Sequence, residues 1–188
     1  QASGLSGELV FEGKGMRVAA SKGSVLGVQT SSVRAGIPDL FHGNVHVGVE
    51  VRAEDQTADF LRFVAGSPVT KFLDGATEGM SAKGLGRLAL QLDIPIGDPE
   101  AFKLAGEYQL VDNEIKPDPD APPLSNVNGR VEFNESSVTV RTLSAKLLGG
   151  PATLSVATRG DGMVAVNAQG TASAPHILQF FGENLLHH

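Results

Sequence analysis

Two histidines are the first candidates for chemistry. His42 and His46 are four residues apart, a spacing that brings two metal ligands together on one face of a helix. His46, however, falls in a run of alternating residues that is typical of a strand, and no pair of carboxylates accompanies it. The pattern favours two solvent-facing imidazoles, and we assign no metal site. His176, at the start of an amphipathic segment, is likewise left unassigned.

Two other segments contain residue types found in binding sites. The acidic run from Asp112 to Asp120 lacks the turn glycine and the ligand spacing of a calcium loop. Gly84-Leu85-Gly86 is part of a glycine-rich loop, but it leads into a strand and not into a helix N-terminus, where phosphate is bound. The sequence contains neither a Gly-x-Ser-x-Gly elbow nor a Walker motif. We therefore expect no catalytic residue, no cofactor and no enzymatic activity.

Composition limits the possible partners but leaves the compartment open. The 188 residues carry a net charge of −6, and the 15 Lys and Arg are scattered, which argues against nucleic acid and against a polybasic membrane contact. The absence of Cys is compatible with any compartment, oxidising ones included. No apolar stretch approaches the ~20 residues that span a bilayer, so we expect a segment that folds in water. The first residues lack a leader pattern and are interpreted as a cut edge, and His187 and His188 as either native or part of a tag.

Strand patterns dominate the sequence. Val45, Val47, Val49 and Val51 alternate with polar residues or Gly, which predicts a strand with one apolar face. Leu88, Leu90, Leu92 and Ile94 follow the same period, and 104–111 is the predicted hairpin partner. Beyond the middle of the chain we predict five strands, at 129–133, 137–141, 144–148, 152–158 and 163–169.

Short amphipathic helices are predicted between and after the strands. Phe60, Leu61 and Val64 share one face of a helix at 57–65, where Asp59 and Arg62 are expected in solvent. A second helical turn or two is predicted at 69–76. The C-terminal segment 174–186 is predicted as a helix whose packing stripe includes Ile177, Leu178 and Phe181.

The order of these elements predicts a repeat. Gly7–Val18 resembles Gly129–Val140, and Phe60–Gly66 resembles Ile177–Gly182. The proline-rich segment 117–123 is a predicted linker between a first β unit (1–116, with helices near 57–76 and a hairpin) and a second (124–188, with the C-terminal helix). The predicted fold is mainly β, with two consecutive antiparallel β-meander units forming a curved, groove-like or taco-like sheet with short amphipathic helices.

Several segments resemble the YhdP family of AsmA-like envelope proteins. They are Thr57–Pro68, Gly84–Ile96, Pro122–Phe133, Glu135–Val138 and Leu147–Ala152. The similarity extends from about Gly7 to Gly182. It identifies the chain as resembling an internal fragment of that family.

The resemblance implies a bridge-like lipid-transfer protein of the Gram-negative periplasm, anchored in the inner membrane by a segment outside this fragment and supporting the outer-membrane barrier. Its implied partners are phospholipid acyl chains and neighbouring segments of the same long chain. The lipid-lining candidates are Val45, Val47, Val49, Val51, Leu88, Leu90, Leu92 and Ile94. Two alternatives stay open: these residues form an ordinary core against the helices, or the chain is a non-enzymatic envelope scaffold or binding module for a protein or glycan.

Overall fold

The structure, a computed structural model, describes residues 2–3, 6–21, 23–25, 28–41, 45–65, 77–159 and 163–177. Its strands are β1 (Ala2–Ser3), β2 (Ser6–Glu12), β3 (Gly15–Ser21), β4 (Gly23–Val25), β5 (Val28–Ile37), β6 (His46–Gln56), β7 (Ser81–Pro95), β8 (Lys103–Lys116), β9 (Leu124–Asn134), β10 (Val138–Leu147), β11 (Gly150–Thr158) and β12 (Val164–Gly170). Helix α1 (Thr57–Ala65) follows β6, and a short 3-10 helix (Pro99–Ala101) lies between β7 and β8. A helical turn occupies residues 174–177. The second predicted helix, at 69–76, lies outside the described residues.

All the strands belong to one twelve-stranded antiparallel sheet. Its main path runs from β5 through β6 to β12 in chain order, and β3 joins it by pairing with β5 on one side and β2 on the other. Ten strands, from β2 to β12 with both ends included, therefore lie side by side. The short β4 pairs with the first half of β5, and β1 pairs with β4. The mainly β, antiparallel class predicted from the sequence is confirmed.

The proline-rich segment 117–123 connects two strands that pair with each other. Ile115 of β8 lies opposite Leu124 of β9, and the pairing continues to Ala105 opposite Asn134. Because proline has no N–H to donate to a ladder, the four prolines fit a connection outside the sheet. The sheet thus runs without interruption through the predicted boundary, and the division into two units remains a prediction.

The predicted repeat has a counterpart in the pairing of the strands. Phe11 lies opposite Met16 in the β2–β3 hairpin, and Phe133 lies opposite Val138 in the β9–β10 hairpin. The next strands are joined in matching registers, because Val18 pairs with Ala35 and Val140 pairs with Val156. A further strand and then a helical segment follow in both halves. Two copies of one arrangement therefore stand in the same sheet, with the β7–β8 hairpin between them.

The number of strands predicted in the second half of the chain was wrong. The segments predicted as separate strands at 137–141 and 144–148 form the single strand β10, which has an irregularity between Val140 and Leu143. A bulge shifts the side-chain alternation by one residue, so that Val140 and Leu143 are both buried although they are three apart. In the sequence, this shift in the alternation of apolar and polar residues resembles the end of a strand.

Two clusters form the core among the described residues. The larger contains Leu110, Val127, Val140, Leu143 and Ala145, with half-buried apolar neighbours from β8 to β11. The smaller joins Ala53 of β6 to Phe60 of α1. The core thus lies on a single face of the sheet.

Candidate functional site: the apolar face of the sheet

The pairing registers place apolar side chains on one face across many strands. Directly opposed residues of antiparallel strands share a face, so the opposed pairs can be followed from strand to strand. One row runs from Leu9 through Val18, Ala35, Val49 and Leu92 to Leu104. A second row, in the other half of the sheet, runs from Leu110 through Gly129, Leu143 and Leu154 to Ala168. We call this surface the apolar face, and its rows run across the strands from β2 to β12.

The lipid-lining candidates predicted from sequence meet on this face. Val47, Val49 and Val51 lie opposite Ile94, Leu92 and Leu90, and Leu88 lies opposite Ala53. Val45 directly precedes β6, and its carbonyl accepts a hydrogen bond from the Ile96 N–H at 2.9 Å. All the candidates are half-buried. The structure brings them together, and their contact with lipid remains a prediction.

The apolar face is most exposed at its two ends. Leu9 and Phe11 of β2 are 54% and 67% exposed, and Val164 and Val166 of β12 are 44% and 61% exposed. Nine inter-strand steps of about 4.8 Å separate these two strands, so the face extends for roughly 40 Å along the sheet. It is a long apolar strip that reaches solvent at both edges of the sheet.

Helix α1 covers part of this face. Phe60 is buried and, with Phe63, packs against Ala53, Leu88 and Tyr108. The Phe60 and Tyr108 rings meet edge to face, with centroids 4.9 Å apart and planes at 70°, the geometry that aromatic quadrupoles favour. This packing fixes the helix over the β6–β8 part of the strip.

A polar contact accompanies that packing. The Tyr108 hydroxyl donates a hydrogen bond to Thr57 Oγ1 at 2.9 Å, and Thr57 is itself buried at the start of α1. Burial raises the pKa of Tyr108 to about 12, and the nearby Asp55 carboxylate adds to the rise, while the hydrogen bond with Thr57 opposes it. The phenol therefore stays neutral and anchors the helix to the sheet.

The other helical predictions have mixed outcomes. Leu61 and Val64 are half-buried, and Phe63, which the sequence analysis did not single out, belongs to the packed cluster. Arg62 is exposed as expected, but the Asp59 side chain, which forms an ion pair with Arg62, is only 20% exposed. The sequence signal for Phe63 is its i, i+3 spacing from Phe60.

The predicted C-terminal helix is described only over its first turn. Ile177, in the turn at residues 174–177, is half-buried, and its N–H donates to the Ser173 carbonyl at 3.1 Å. Leu178 and Phe181 lie outside the described residues.

Glycines make room for aromatic side chains on the apolar face. A Cβ at Gly86 would lie 1.7 Å from the Tyr108 hydroxyl oxygen, and one at Gly106 would lie 2.4 Å from the Phe133 ring. The two aromatic side chains therefore occupy the space that a side chain on the neighbouring strand would fill. Gly84-Leu85-Gly86, the glycine-rich segment that leads into a strand, contains one of these glycines.

The opposite face is polar and carries ion pairs between neighbouring strands. Its pairs are Glu54 with Arg87, Glu107 with Arg130, and Glu132 with Arg141. On the same face, His46 Nδ1 lies 3.2 Å from the Asp93 carboxylate. A depression of about 1030 Å³ on this face has Arg34 and Lys103 in its lining. Backbone N–H groups, including that of Leu104, donate to the Glu135 carboxylate and lower its pKa. In the described ranges, no group of three or more His, Asp or Glu is placed to hold a metal ion.

These features define a class of protein: an extended antiparallel sheet with one long apolar face and one charged face. A family model described as YhdP protein matches residues 2–188, and the chain belongs to the YhdP family. Membership indicates an AsmA-like protein of the Gram-negative cell envelope. The comparisons with curated proteins and with solved structures gave no match. No helix in the described part of the chain is long and apolar enough to cross a membrane.

Proposed function

We propose that this chain is a segment of a conduit that carries phospholipids between the inner and outer membranes, with their acyl chains lying along the apolar face. The observation that carries the proposal is the continuity of that face: two rows of paired residues, from Leu9 in β2 to Leu104 in β8 and from Leu110 in β8 to Ala168 in β12, together reach across the sheet. An apolar sheet face requires a second apolar layer. In the described ranges α1 supplies that layer over the strands from β5 to β8, and the proposal assigns acyl chains to the rest.

The energetics favour such a surface. Moving a two-chain lipid through water exposes on the order of 30 methylenes at ~0.8 kcal/mol each. A strip of Val and Leu side chains removes much of that cost without a covalent step. For this reason the proposal assigns the chain no enzymatic activity.

The topology supplies a direction for movement. The apolar rows run perpendicular to the strands, so a lipid would pass from strand to strand between the exposed edges at β2 and β12. Strands β6 and β12 run parallel, because an even number of antiparallel steps separates them. Helix α1 and the turn at 174–177 consequently follow strand ends on the same side of the sheet. They would form one rim of the proposed groove.

The wider setting belongs to the same proposal. The protein would act in the periplasm, with an inner-membrane anchor outside this chain, and neighbouring segments of the same long chain would extend the groove. Loss of the conduit would weaken the outer-membrane barrier. The family membership supports this setting.

The test places one carboxylate on each face of the sheet. Val47→Asp and Leu90→Asp alter the apolar face, and Ala105→Asp is the matched control, since Ala105 is exposed on the polar face between Gln91 and Asn134. Each variant is purified, its folding is checked by thermal melting, and bound phospholipid is measured by mass spectrometry after incubation with vesicles. The same changes in the whole protein are scored for outer-membrane barrier function.

The expected result is that the apolar-face variants fold but lose bound lipid and barrier function, whereas Ala105→Asp retains both. An ion at a half-buried site keeps part of its hydration, so its cost falls on the acyl chain and less on the fold. Unfolding of both apolar-face variants would indicate a closed core. Normal folding with undiminished lipid binding would remove these residues from any lipid path.

A second candidate function is an envelope binding module that recognises a partner at its strand edges. The outer edges of β2 and β12 are the observation in its favour, because in the described ranges each strand pairs on one side only. An unpaired strand edge is a ready template for another strand. A module of this kind would bind its partner equally well with and without lipid.

A further inference from the structure

The outer edge of β12 is built differently from the outer edge of β2. Strand β12 contains no charged residue, and all but one of its residues are exposed. Strand β2 carries Glu8 and Glu12, and charged side chains on an edge strand discourage pairing with another strand. Strand β12 has no charged side chain to discourage pairing along its outer edge.

The repeat identifies β6 as the strand in the first half of the sheet that corresponds to β12. Ala35 pairs with Val49 of β6 in the first half, and Val156 pairs with Val166 of β12 in the second. Since Val18 and Val140 pair with Ala35 and Val156 respectively, β12 has the position and register of β6. Both strands also precede a helical segment.

In the first half, the outer edge of β6 is occupied along its whole length. Strand β7 pairs with it in antiparallel fashion from His46 opposite Pro95 to Gln56 opposite Leu85. We infer that the outer edge of β12 is a docking site for an antiparallel strand with apolar residues at alternate positions, as in β7. Val166 would then face an apolar residue in the place that Leu92 has opposite Val49.

The side chains of β12 select for such a partner. Val164, Val166 and Ala168 are on the apolar face, since they pair with Thr158, Val156 and Leu154, and the incoming strand would extend that face by one row. On the polar face, β12 has Asn167 and Gln169 where β6 has Glu50 and Arg52. The partner therefore needs no complementary charge there.

The inference rests on the part of the proposed function that joins this chain to neighbouring segments. Strand docking at β12 does not depend on lipid, so this inference and the proposed lipid conduit can be tested separately.

The experiment uses a synthetic peptide of residues 81–95, the β7 sequence, and disulfide formation as a measure of register. The chain has no Cys, so each substitution introduces a single thiol. By analogy with Glu50 opposite Gln91, the Asn167→Cys chain should cross-link to the peptide carrying Gln91→Cys. By analogy with Arg52 opposite Ala89, the Gln169→Cys chain should instead prefer the peptide carrying Ala89→Cys.

Mismatched combinations should lose nearly all cross-linking. A shift of two residues moves a Cα by about 6.7 Å along the strand and takes the two Cα atoms about 8 Å apart, beyond the ~7 Å limit for a disulfide. A Glu8→Cys chain reports on the β2 edge and should cross-link weakly with every peptide. Thermal melting verifies that each chain variant is folded.

The preferred peptide should therefore change when the thiol moves from position 167 to position 169, whether or not lipid is present. Equal cross-linking of all combinations would overturn the inference, since it would show contact without register. Disulfide-linked dimers of the Asn167→Cys chain that exclude the peptide would also overturn it, because the occupant would then be a second copy. Lipid binding measured on the same samples reports on the conduit independently.

Discussion

Removing the Phe60 ring should release α1 from the sheet. Phe60 is 6% exposed and packs on Ala53, Leu88 and Tyr108. Truncating a buried Phe to Ala costs about 3–5 kcal/mol, of which about 1 kcal/mol comes from the edge-to-face contact with Tyr108. Because this cluster is small, we expect the lower end, about 3 kcal/mol for Phe60→Ala. At about 2–4 °C per kcal/mol for a chain of this size, the melting temperature should fall by roughly 6–12 °C.

The matched control is Leu61→Ala, one position along the same helix. Leu61 is half-buried and is not part of the packed cluster, so its truncation should cost about 1 kcal/mol. Both variants are measured by thermal unfolding with circular dichroism, and a Tyr108→Leu background, which removes the ring, tests whether the loss depends on the contact between the two rings. Equal losses for the two alanine variants would refute the orientation of the helix described above.

Three other predictions concern the apolar face. The contribution of Tyr108 to stability should be constant below about pH 10 and fall as the pH rises toward 12, because the unfolded state releases the Tyr108 proton at its ordinary pKa whereas burial raises the folded pKa to about 12; titration of tyrosinate absorbance reports this sole Tyr, and Tyr108→Phe should remove this contribution. Gly86→Ala should cost about 1–3 kcal/mol in denaturant unfolding, since the new Cβ meets the Tyr108 hydroxyl, while Gly97→Ala, with no atom within 4 Å, should change stability by less than about 0.5 kcal/mol. Val127→Asp, at a residue 1% exposed, should cost several kcal/mol, whereas Val166→Asp, at a residue 61% exposed, should cost less than about 1 kcal/mol; similar losses in thermal melts would contradict an open end at β12.

Much of the sheet was predictable because its signals are local. The alternation at Val47, Val49 and Val51 fixes which side chains share a face. Leu88, Leu90 and Leu92 alternate in the same way in β7, and the hairpin that follows pairs β7 with β8. Helix α1 was predicted within its observed bounds from the change of period after Asp55. The similarity of Gly7–Val18 to Gly129–Val140 anticipated two hairpins with matching registers.

The remaining features depend on contacts between distant segments, which local patterns do not encode. The bulge after Val140 reverses the alternation and made one strand look like two. The Asp59–Arg62 ion pair is an exception, because the two residues are only three apart; Asp59 was expected in solvent, but its side chain is only 20% exposed. The pairing of β8 with β9 around the prolines was not anticipated either, since a stiff polar segment is as suitable for a hairpin connection as for a linker between units.

The continuity of the apolar face is what gives these local features a common explanation. A sheet that served only to pack on α1 would need apolar residues near Ala53 and Leu88 alone, and polar residues would suffice elsewhere on that face. Instead, the large apolar side chains of Phe11 and Val166 are exposed at opposite ends of the sheet, where contact with water is unfavourable. When the copies of a repeat keep the same strand register, each added strand places further apolar residues on the same face of the sheet. Exposed apolar side chains at the ends of the sheet are then an expected property of the conduit that we propose, which would hold apolar chains along its length.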